Sequence, residues 1–479
     1  MSQDTVPGAR PEALQKIFCN RTLNLRTLRA IGYDMDYTLI HYHVDEWERC
    51  AFEHLRLKLL ERGWPVGALV FDPRAILRGL LVDIQEGNIV EANRFGFVKS
   101  ACHGMRRLDY AEHRKLYSRV EVNPADPRWN FLNTFFSVSE GSMYRQLVDL
   151  LDDGQLPGVR SYEDLYKQVR SSLDQAHMEG QLKADIIGDP DRFVELDPNT
   201  PLALLDQKMS GKKIVLITNS EWPYTQAMMT YAFDRFLPDA MTWRDLFDLI
   251  IVAARKPDFF DSRLPCFEVV DEQGLLKPNV GKLKPGRIYH GGHAGMVEAC
   301  LGVSGHHILY VGDHVYGDVQ VSKSLLRWRT ALVVRELEGE LQAIEDFKQD
   351  QATLAGMMIR KTDMERQLSE LRLQIQRHER AYGPPPADPI EALRARFNST
   401  RAVLVDLDRQ IAPLAERASK VGNEEWGLLL RAGNDKSYMA RQLERHADIY
   451  TSRVSNFLAE TPFSYLRSPR GLLPHDQDR

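Results

Sequence analysis

Four continuous apolar runs, three of which end at polar residues, constrain the fold of this chain more than any other feature. They are LRAIGYD (28–34), KKIVLITNS (212–220), LFDLIIVAA (246–254) and HHILYVGDH (306–314). Unbroken runs of this length are typical of strands buried on both faces of a parallel sheet. Helix-like segments separate them, which indicates strand–crossover–strand units. The sequence therefore predicts an α/β fold whose ligands bind at the carboxyl ends of the strands.

The spacing of the runs predicts the domain organisation. About 170 residues separate the first run from the second, far more than a crossover needs. We therefore expect a catalytic core at 1–45 and 191–335, and an inserted cap at 46–190. After residue 335 apolar residues recur at helical spacing among many charges, with a break at YGPPPADP (382–389). Residues 336–479 are predicted to be a C-terminal helical hairpin region that packs on the core.

Composition excludes several classes of protein. The chain has 479 residues, 43% of them apolar, and a net charge of −5, which gives no reason to expect a nucleic acid partner. Its five cysteines form no C-x-x-C pair, which favours reduced thiols and a cytoplasmic location. The first ten residues lack a signal-peptide apolar region, and no apolar run approaches the roughly 20 residues that span a bilayer. We expect no membrane association.

Two carboxylates stand at the end of the first apolar run, where burial makes them costly. Asp34 and Asp36 point to the same side of an extended chain, because alternate side chains do. Neighbouring carboxylates repel each other unless a cation intervenes. Mg²⁺ takes one or two carboxylates together with water and substrate phosphate, and Asp313 at another strand end is a further ligand. The sequence therefore predicts a Mg²⁺ site that also attracts a phosphate.

The same strand ends carry the groups needed for phosphoryl transfer. Asp34 can attack phosphorus to form an aspartyl-phosphate, and Asp36 can protonate the leaving oxygen and later activate water. Thr218 offers a hydroxyl and Lys256 a positive charge to the transferring phosphoryl oxygens. Asp318 can hold its own loop or orient Lys256. Together these residue types predict metal-assisted transfer through an enzyme carboxylate.

Each motif alone is common in loops and turns that carry no chemistry. D-x-D-x-T is often a turn or a helix N-cap, T-N-S a helix start, R-K-P a solvated loop, and GDHVYGD a turn or a calcium-like acidic loop. Here they occur in a fixed order, and three of the four follow an apolar run. That conjunction favours the catalytic interpretation.

In this order the motifs resemble the haloacid dehalogenase (HAD) superfamily, and more closely the cytosolic purine 5′-nucleotidases that prefer IMP and GMP. The similar segments are NRTLNLRTLRAIGYDMDYTLIHY, RGLLVDIQEGNIV, FLNTFFSVSE, ITNSEWPYT, ARKPDFF, LYVGDHVYGDV and PFSYL. The resemblance implies a three-layer Rossmann-like core with an inserted cap. It implies that Asp34 is the nucleophile and Asp36 the acid/base. It also implies Mg²⁺ on the Asp34 carboxylate, the Asp36 carbonyl and Asp313, and phosphate on Thr218, Asn219 and Lys256.

The resemblance also implies nucleotide recognition by the cap. A 6-oxopurine presents acceptors that suit Arg170 and an N1–H donor that suits Asp174, whereas adenine would leave both poorly paired. The competing interpretation of Arg170 and Asp174 is an i,i+4 ion pair on an exposed helix. The competing interpretation of Phe136 is an aromatic residue of the core. The substrate-binding residues implied are Asn133, Phe136, Arg170, Asp174, His177 and Lys183.

Regulation and assembly are implied by the same resemblance. Tyr316, Gln442 and Arg445 match, loosely, the positions where members of the family bind an activating nucleotide. The family forms dimers that pair into tetramers, so a homo-oligomer is implied. Members also pass the phosphoryl group to nucleosides.

The sequence thus predicts a Mg²⁺-dependent enzyme that hydrolyses purine nucleoside monophosphates through an aspartyl-phosphate. One alternative is a phosphatase of the same superfamily for another small phosphomonoester. Another is a catalytically retired nucleotide sensor or scaffold, against which the intact set of catalytic residue types argues.

Overall fold

A computed structural model describes residues 16–134, 137–178, 180–471 and 476. The chain forms two compact units. One contains the described residues up to Glu338 together with those from Leu429 onward, and the other is Gly339–Leu428. No helix in these described stretches has both the length and the apolar character needed to cross a membrane.

The bounds of the regular elements are as follows. The strands are β1 (Phe18–Cys19), β2 (Leu23–Asn24), β3 (Ala30–Tyr33), β4 (His41–Tyr42), β5 (Leu81–Asp83), β6 (Asn88–Ala92), β7 (Val98–His103), β8 (Arg106–Arg107), β9 (Trp129–Phe131), β10 (Val194–Glu195), β11 (Lys213–Ile217), β12 (Leu249–Val252), β13 (Cys266–Val269), β14 (Leu276–Pro278), β15 (Ile288–Gly291), β16 (Ile308–Gly312), β17 (Arg329–Val333), β18 (Arg431–Ala432), β19 (Asp435–Lys436), β20 (Ile449–Thr451) and β21 (Tyr465–Leu466). The α-helices are α1 (Val44–Glu61), α2 (Tyr110–Tyr117), α3 (Val138–Asp152), α4 (Tyr162–Met178), α5 (Gln181–Gly188), α6 (Pro190–Phe193), α7 (Asn199–Met209), α8 (Trp222–Phe233), α9 (Asp258–Asp261), α10 (Ala294–Leu301), α11 (Val321–Leu326), α12 (Leu337–Asp346), α13 (Lys348–Arg380), α14 (Ile390–Ser419) and α15 (Tyr438–His446).

The first unit is built on a ten-stranded sheet with the order β1-β20-β17-β16-β3-β11-β12-β15-β13-β14. Its central strands, from β20 to β15, are parallel, and the outer strands β1, β13 and β14 pair antiparallel. The four apolar runs supply β16, β3, β11 and β12, which are neighbours at the centre of the sheet. The predicted α/β class is confirmed.

Helices cover both faces of this sheet. Ile214 and Leu216 of β11 belong to an apolar cluster that also contains residues of α7 and α8. The intervening Val215 and Ile217 belong to a second cluster, on the opposite face, with residues of α9 and α10. Strand β11 is therefore buried on both sides, which is why its sequence from Ile214 to Ile217 is a continuous apolar run rather than an alternating one.

The segment predicted to be the cap leaves the core after β4 and returns at β10. These two strands pair antiparallel, so the chain leaves and re-enters the core at adjacent positions. Between them lie α1 to α6 and a five-stranded antiparallel sheet of order β8-β7-β6-β5-β9. The division into core and cap at residues 45 and 190 remains our proposal.

The C-terminal boundary differs from the prediction. Helices α13 and α14 flank the break at 382–389, and both lie in the second unit. From Leu429 onward, however, the chain belongs to the first unit, where β20 extends the main sheet beside β17 and β21 pairs with β2. Residues 336–479 are therefore not one helical region. These strands are two or three residues long and carry no periodicity that a sequence pattern could show.

Candidate active site

The carboxyl ends of β3, β11 and β16 meet at one edge of the main sheet. Asp34, Thr218 and Asp313 each follow one of these strands directly, and all three side chains are buried. The strands are parallel neighbours in the order β16-β3-β11, which brings residues far apart in the sequence to one place. The edge therefore concentrates the polar groups that the sequence places at the strand ends.

Lys256 joins two of the carboxylates. Its Nζ lies 2.8 Å from Asp34 Oδ1 and 2.7 Å from Asp318 Oδ1, and it donates a hydrogen bond to the Tyr310 hydroxyl at 3.1 Å. Only 4% of the Lys256 side chain is exposed. Burial alone would lower the pKa of Lys256, but Asp318 and Asp34 together raise it well above its ordinary value. The site thus holds a fixed positive charge beside Asp34.

The buried carboxylates carry more negative charge than the lysine can balance. Burial raises the pKa of Asp34 to about 7, even though the Lys256 ammonium lowers it. Burial and the charges of Asp318 and Asp34 raise the pKa of Asp313 well above its usual range. Besides Lys256, the buried Arg78 lowers the pKa of Asp313, but Arg78 pairs with Glu336. These two cations do not compensate three buried carboxylates and Glu336, so this pattern indicates that another positive charge belongs in the site.

The donor set fits a hard divalent cation. Oxygens of Asp34, Asp313 and Asp318 all lie within 4.8 Å of one another. The described part of the chain offers no hydrogen-bond partner to Asp313 Oδ2, although this atom is buried. Oxygen donors at this spacing suit Mg²⁺. Family resemblance assigned the metal to Asp34, Asp36 and Asp313, whereas the structure places the carboxylate of Asp318 in the group.

Asp36 points into a separate hydrogen-bond network. Its carboxylate accepts from the Ser220 hydroxyl at 2.6 Å and from the Tyr42 hydroxyl at 2.5 Å. Lys183 Nζ in turn donates to Ser220 Oγ at 3.1 Å. Ser220 therefore links the predicted acid/base to a lysine of the insertion. The sequence placed Ser220 at the same strand end as Thr218 but predicted no role for it, and it predicted none for Tyr42.

Asn219 and Thr218 shape the loop that carries the lysine. The Asn219 side chain accepts from the Lys256 backbone N–H at 2.6 Å and donates to the Lys256 carbonyl at 3.1 Å. Thr218 Oγ1 accepts from the Ser220 N–H at 3.0 Å. Asn219 was predicted to bind phosphate, but the contacts of its amide are with the Lys256 backbone. These contacts hold the backbone at Lys256, and phosphate binding by Asn219 stays a prediction.

Two residues that were not predicted from the sequence support the strand end of Asp313. Arg78 is buried, donates to the Asp313 carbonyl at 3.2 Å and to Glu336 at 2.7 Å, and its charge lowers the pKa of Asp313. At Gly312, a Cβ would lie 2.4 Å from Asp318 Oδ2. Glycine therefore lets Asp318 approach the strand end. Arg78 begins the segment RGLLVD, which resembles the family, and this was the available signal.

The predicted nucleotide-binding residues lie in several places. Arg170 Nη1 contacts the buried Glu140 at 2.7 Å and its Nε lies 3.5 Å from Asp174, so the i,i+4 pair of the competing interpretation is present. Both side chains are about half exposed. Asn133 is buried just after β9. Lys183 donates a hydrogen bond to Ser220, which in turn donates to Asp36. Phe136 and the side chain of His177 lie outside what the structure describes.

The residues matched to an effector site lie near one another. Tyr316, in the π-helical turn Val315–Gln320, packs its ring against Phe131 and against His446 of α15. The same helix carries Gln442, which is buried, and Arg445, which is exposed. Burial raises the pKa of Tyr316, and the charge of Arg445 lowers it. Nucleotide binding here remains a prediction.

Comparisons with known proteins identify the family to which the chain is similar. The model of the 5′ nucleotidase family matches residues 17–478. A 5′-nucleotidase domain-containing protein of Dictyostelium discoideum is 25% identical over 473 residues, covering 96% of this chain and 75% of that protein. An archaeal beta-phosphoglucomutase of Pyrococcus aligns with 64% of this chain and 86% of its own, at 12% identity and a TM-score of 0.31, a similarity too low to support a functional assignment.

Proposed function

Because this chain belongs to the 5′ nucleotidase family, we propose that it is a Mg²⁺-dependent 5′-nucleotidase that prefers the purine nucleotides IMP and GMP. Membership supports hydrolysis of nucleotide phosphomonoesters and use of a divalent metal. The observation that carries the proposal is a buried group in which Lys256 joins Asp34 to Asp318. Beside it lies Asp313 Oδ2, to which none of the described residues offers a hydrogen bond. If this group were only a structural ion pair, Asp313 would not be needed beside it, because a buried carboxylate without a partner is costly.

The arrangement suits transfer in two steps. Asp34 forms a bond to phosphorus while the bond from phosphorus to the nucleoside 5′-oxygen breaks, and Asp36 gives that oxygen its proton. Asp36 then takes a proton from water, which attacks phosphorus, releases phosphate and frees Asp34. Lys256 stabilises charge on the phosphoryl oxygens. Mg²⁺, held by Asp34, Asp313 and the Asp36 carbonyl or Asp318, would neutralise the same charge.

We propose that residues of the insertion recognise the purine base. The half-exposed Arg170 is anchored by the buried Glu140, which fixes its guanidinium while leaving donors for an acceptor on a ligand. With Asp174 it would pair with O6 or N7 and with N1–H of a 6-oxopurine. Lys183 would contact the ribose or phosphate side, where it reaches Ser220. Asn133, Phe136 and His177 complete the proposed site, and a nucleoside hydroxyl would replace water in phosphotransfer.

The function is tested by phosphate release from IMP, GMP, AMP, UMP, CMP and glucose 6-phosphate, each with Mg²⁺. We expect the 6-oxopurine nucleotides to be the best substrates. Release mainly from a non-nucleotide would be consistent with the catalytic roles of the strand-end residues, but it would refute nucleotide recognition by the insertion. Release from none of them, with or without added nucleoside triphosphates, would refute the proposal that this protein hydrolyses phosphomonoesters. Light scattering on the same sample tests the homo-oligomer (dimer or tetramer) that family resemblance supports, and fractionation tests the cytoplasmic location.

Arg170→Ala is expected to lower kcat/KM for IMP by about 10- to 100-fold, because the purine acceptors lose their charged donor. Its kcat/KM for glucose 6-phosphate should not change. Lys167→Ala is the matched control, because Lys167 is exposed on the same helix and pairs with Glu163 at i,i+4. An equal loss on both substrates would show that Arg170 supports the fold rather than the base.

Ser220→Ala is expected to lower kcat about tenfold, or about 1.4 kcal/mol, because Asp36 loses one of its two hydroxyl donors and Lys183 loses its link to Asp36. Steady-state kinetics with IMP measure this. The control is Ser210→Ala, whose hydroxyl donates to the Gln207 carbonyl at a helix end. Unchanged kcat in Ser220→Ala would remove Ser220 from the network that serves catalysis.

A further inference from the structure

A second group of metal-ligating side chains lies in the insertion, outside the active site. Cys50 and His54 are four residues apart on α1, and Asp185 lies on the neighbouring helix α5. Among the described residues, this trio and the strand-end carboxylates are the two groups whose ligand atoms all lie within 4.8 Å of one another. Nothing in the nucleotidase mechanism uses this trio.

The geometry of the trio is close to that of a tetrahedral metal site. His54 Nε2 lies 2.9 Å from Asp185 Oδ2, and Cys50 Sγ lies 3.7 Å from the same oxygen. A tetrahedral ion with bonds of about 2.0–2.3 Å places its ligand atoms about 3.4–3.6 Å apart. The two distances to Asp185 therefore differ from this spacing by about half an ångström or less, and the Cys50 Sγ–His54 Nε2 distance is within 4.8 Å. Residues at i and i+4 present their side chains on one helix face, as metal-binding helices require.

We propose that Cys50, His54 and Asp185 bind a divalent transition metal of the Zn²⁺ type, with water in the fourth position. Sulfur and imidazole nitrogen donors favour Zn²⁺ over Mg²⁺, so the site differs in metal class from the strand-end carboxylates. Binding breaks the S–H bond, forms the metal–sulfur bond and releases the thiol proton to solvent, while His54 and Asp185 donate lone pairs. The ion replaces the hydrogen bonds that now join the two helices.

The position of the site gives it a structural consequence. Asp185 is two residues beyond Lys183 on the short helix α5, and Lys183 donates to Ser220 at the active site. An ion on Asp185 would tie α5 to the much longer α1. His54 is 19% and Asp185 52% exposed, so an ion can enter from solvent without unfolding the insertion.

The test is titration of the full-length protein with Co²⁺, in excess Mg²⁺ so that the carboxylate site is filled. We expect one equivalent of Co²⁺ to produce a thiolate-to-cobalt charge-transfer band and tetrahedral d–d bands, both removed by Zn²⁺. Cys50→Ser should abolish the thiolate band. His54→Asn and Asp185→Asn should each weaken Co²⁺ binding at least about tenfold. Cys300→Ser, at a partly buried thiol elsewhere, should change nothing.

Two results would overturn the proposal: a wild-type protein that shows no thiolate band, and a band that survives Cys50→Ser. A second readout guards against misfolded variants. Zn²⁺ should raise Tm of the wild type and of Cys300→Ser, and should leave Tm of Cys50→Ser unchanged, with circular dichroism showing that each variant is folded. An equal rise in Cys50→Ser would place the bound metal elsewhere.

Discussion

Asp34→Asn is expected to reduce phosphate release from IMP at least about 10³-fold while the protein remains folded. The amide has the shape of the carboxylate but cannot attack phosphorus. Burial raises the pKa of Asp34 to about 7, so the native fold holds this charge at a cost that the neutral amide relieves. Tm should therefore stay equal or rise as activity disappears.

The comparison that isolates this effect is Asp239→Asn, at an exposed aspartate in a loop, for which activity and Tm should not change. Acid quenching of wild-type enzyme with phosphoryl-labelled IMP should trap label on the protein, and Asp34→Asn should trap none. Retention of more than about a tenth of wild-type activity in Asp34→Asn would exclude this residue as the nucleophile.

Lys256→Met is expected to have the largest combined effect on stability and activity. Methionine has nearly the same volume, so the change removes the charge and leaves Asp34 and Asp318 as buried carboxylates without their shared cation. Breaking such a buried pair costs about 3–5 kcal/mol. Activity should fall at least about 10²-fold, because the phosphoryl oxygens lose a fixed positive charge. Urea unfolding and phosphate release from IMP measure the two effects.

Lys213→Met is the matched control, because Lys213 pairs with Asp248 on the surface and its side chain is 54% exposed. Such a pair contributes about 0–1 kcal/mol, so this variant should behave like the wild type. Mg²⁺ should restore part of the stability of Lys256→Met by supplying a cation to the carboxylates. A Lys256→Met protein within about 1 kcal/mol of the wild type would show that the carboxylates are already neutral in the native state.

The centre of the fold was predictable from sequence because a strand that is buried on both faces has a continuous apolar sequence. Apart from Lys213 at the start of β11, the strands β3, β11, β12 and β16 carry no charged residue, and few elements other than a doubly buried strand produce so short and apolar a run. Strands β1, β20 and β21 have two or three residues each, and their pairing with one another or with β2 depends on partners distant in the chain. No local pattern records such contacts, so the return of the chain to the sheet after Leu429 could not be predicted.

The active site likewise contains residues that a local sequence pattern predicts and residues that it does not. Asp34, Thr218 and Asp313 were predictable because each ends an apolar run, and strand order alone brings them together. Arg78 and Tyr42 were not, because their contacts with the Asp313 carbonyl and the Asp36 carboxylate are set by tertiary packing. The Arg170–Asp174 spacing fits both a surface ion pair and a base-binding pair, and the kinetics of Arg170→Ala separate these two interpretations.

The most direct test of the central claim is kcat/KM of the wild-type enzyme for IMP and for AMP, each with Mg²⁺ and with EDTA. We predict that IMP exceeds AMP by at least about tenfold, because adenine leaves Arg170 and Asp174 poorly paired. We also predict that EDTA abolishes both activities and that added Mg²⁺ restores them. Equal rates for the two nucleotides, or release that persists in EDTA, would contradict a Mg²⁺-dependent nucleotidase selective for 6-oxopurines.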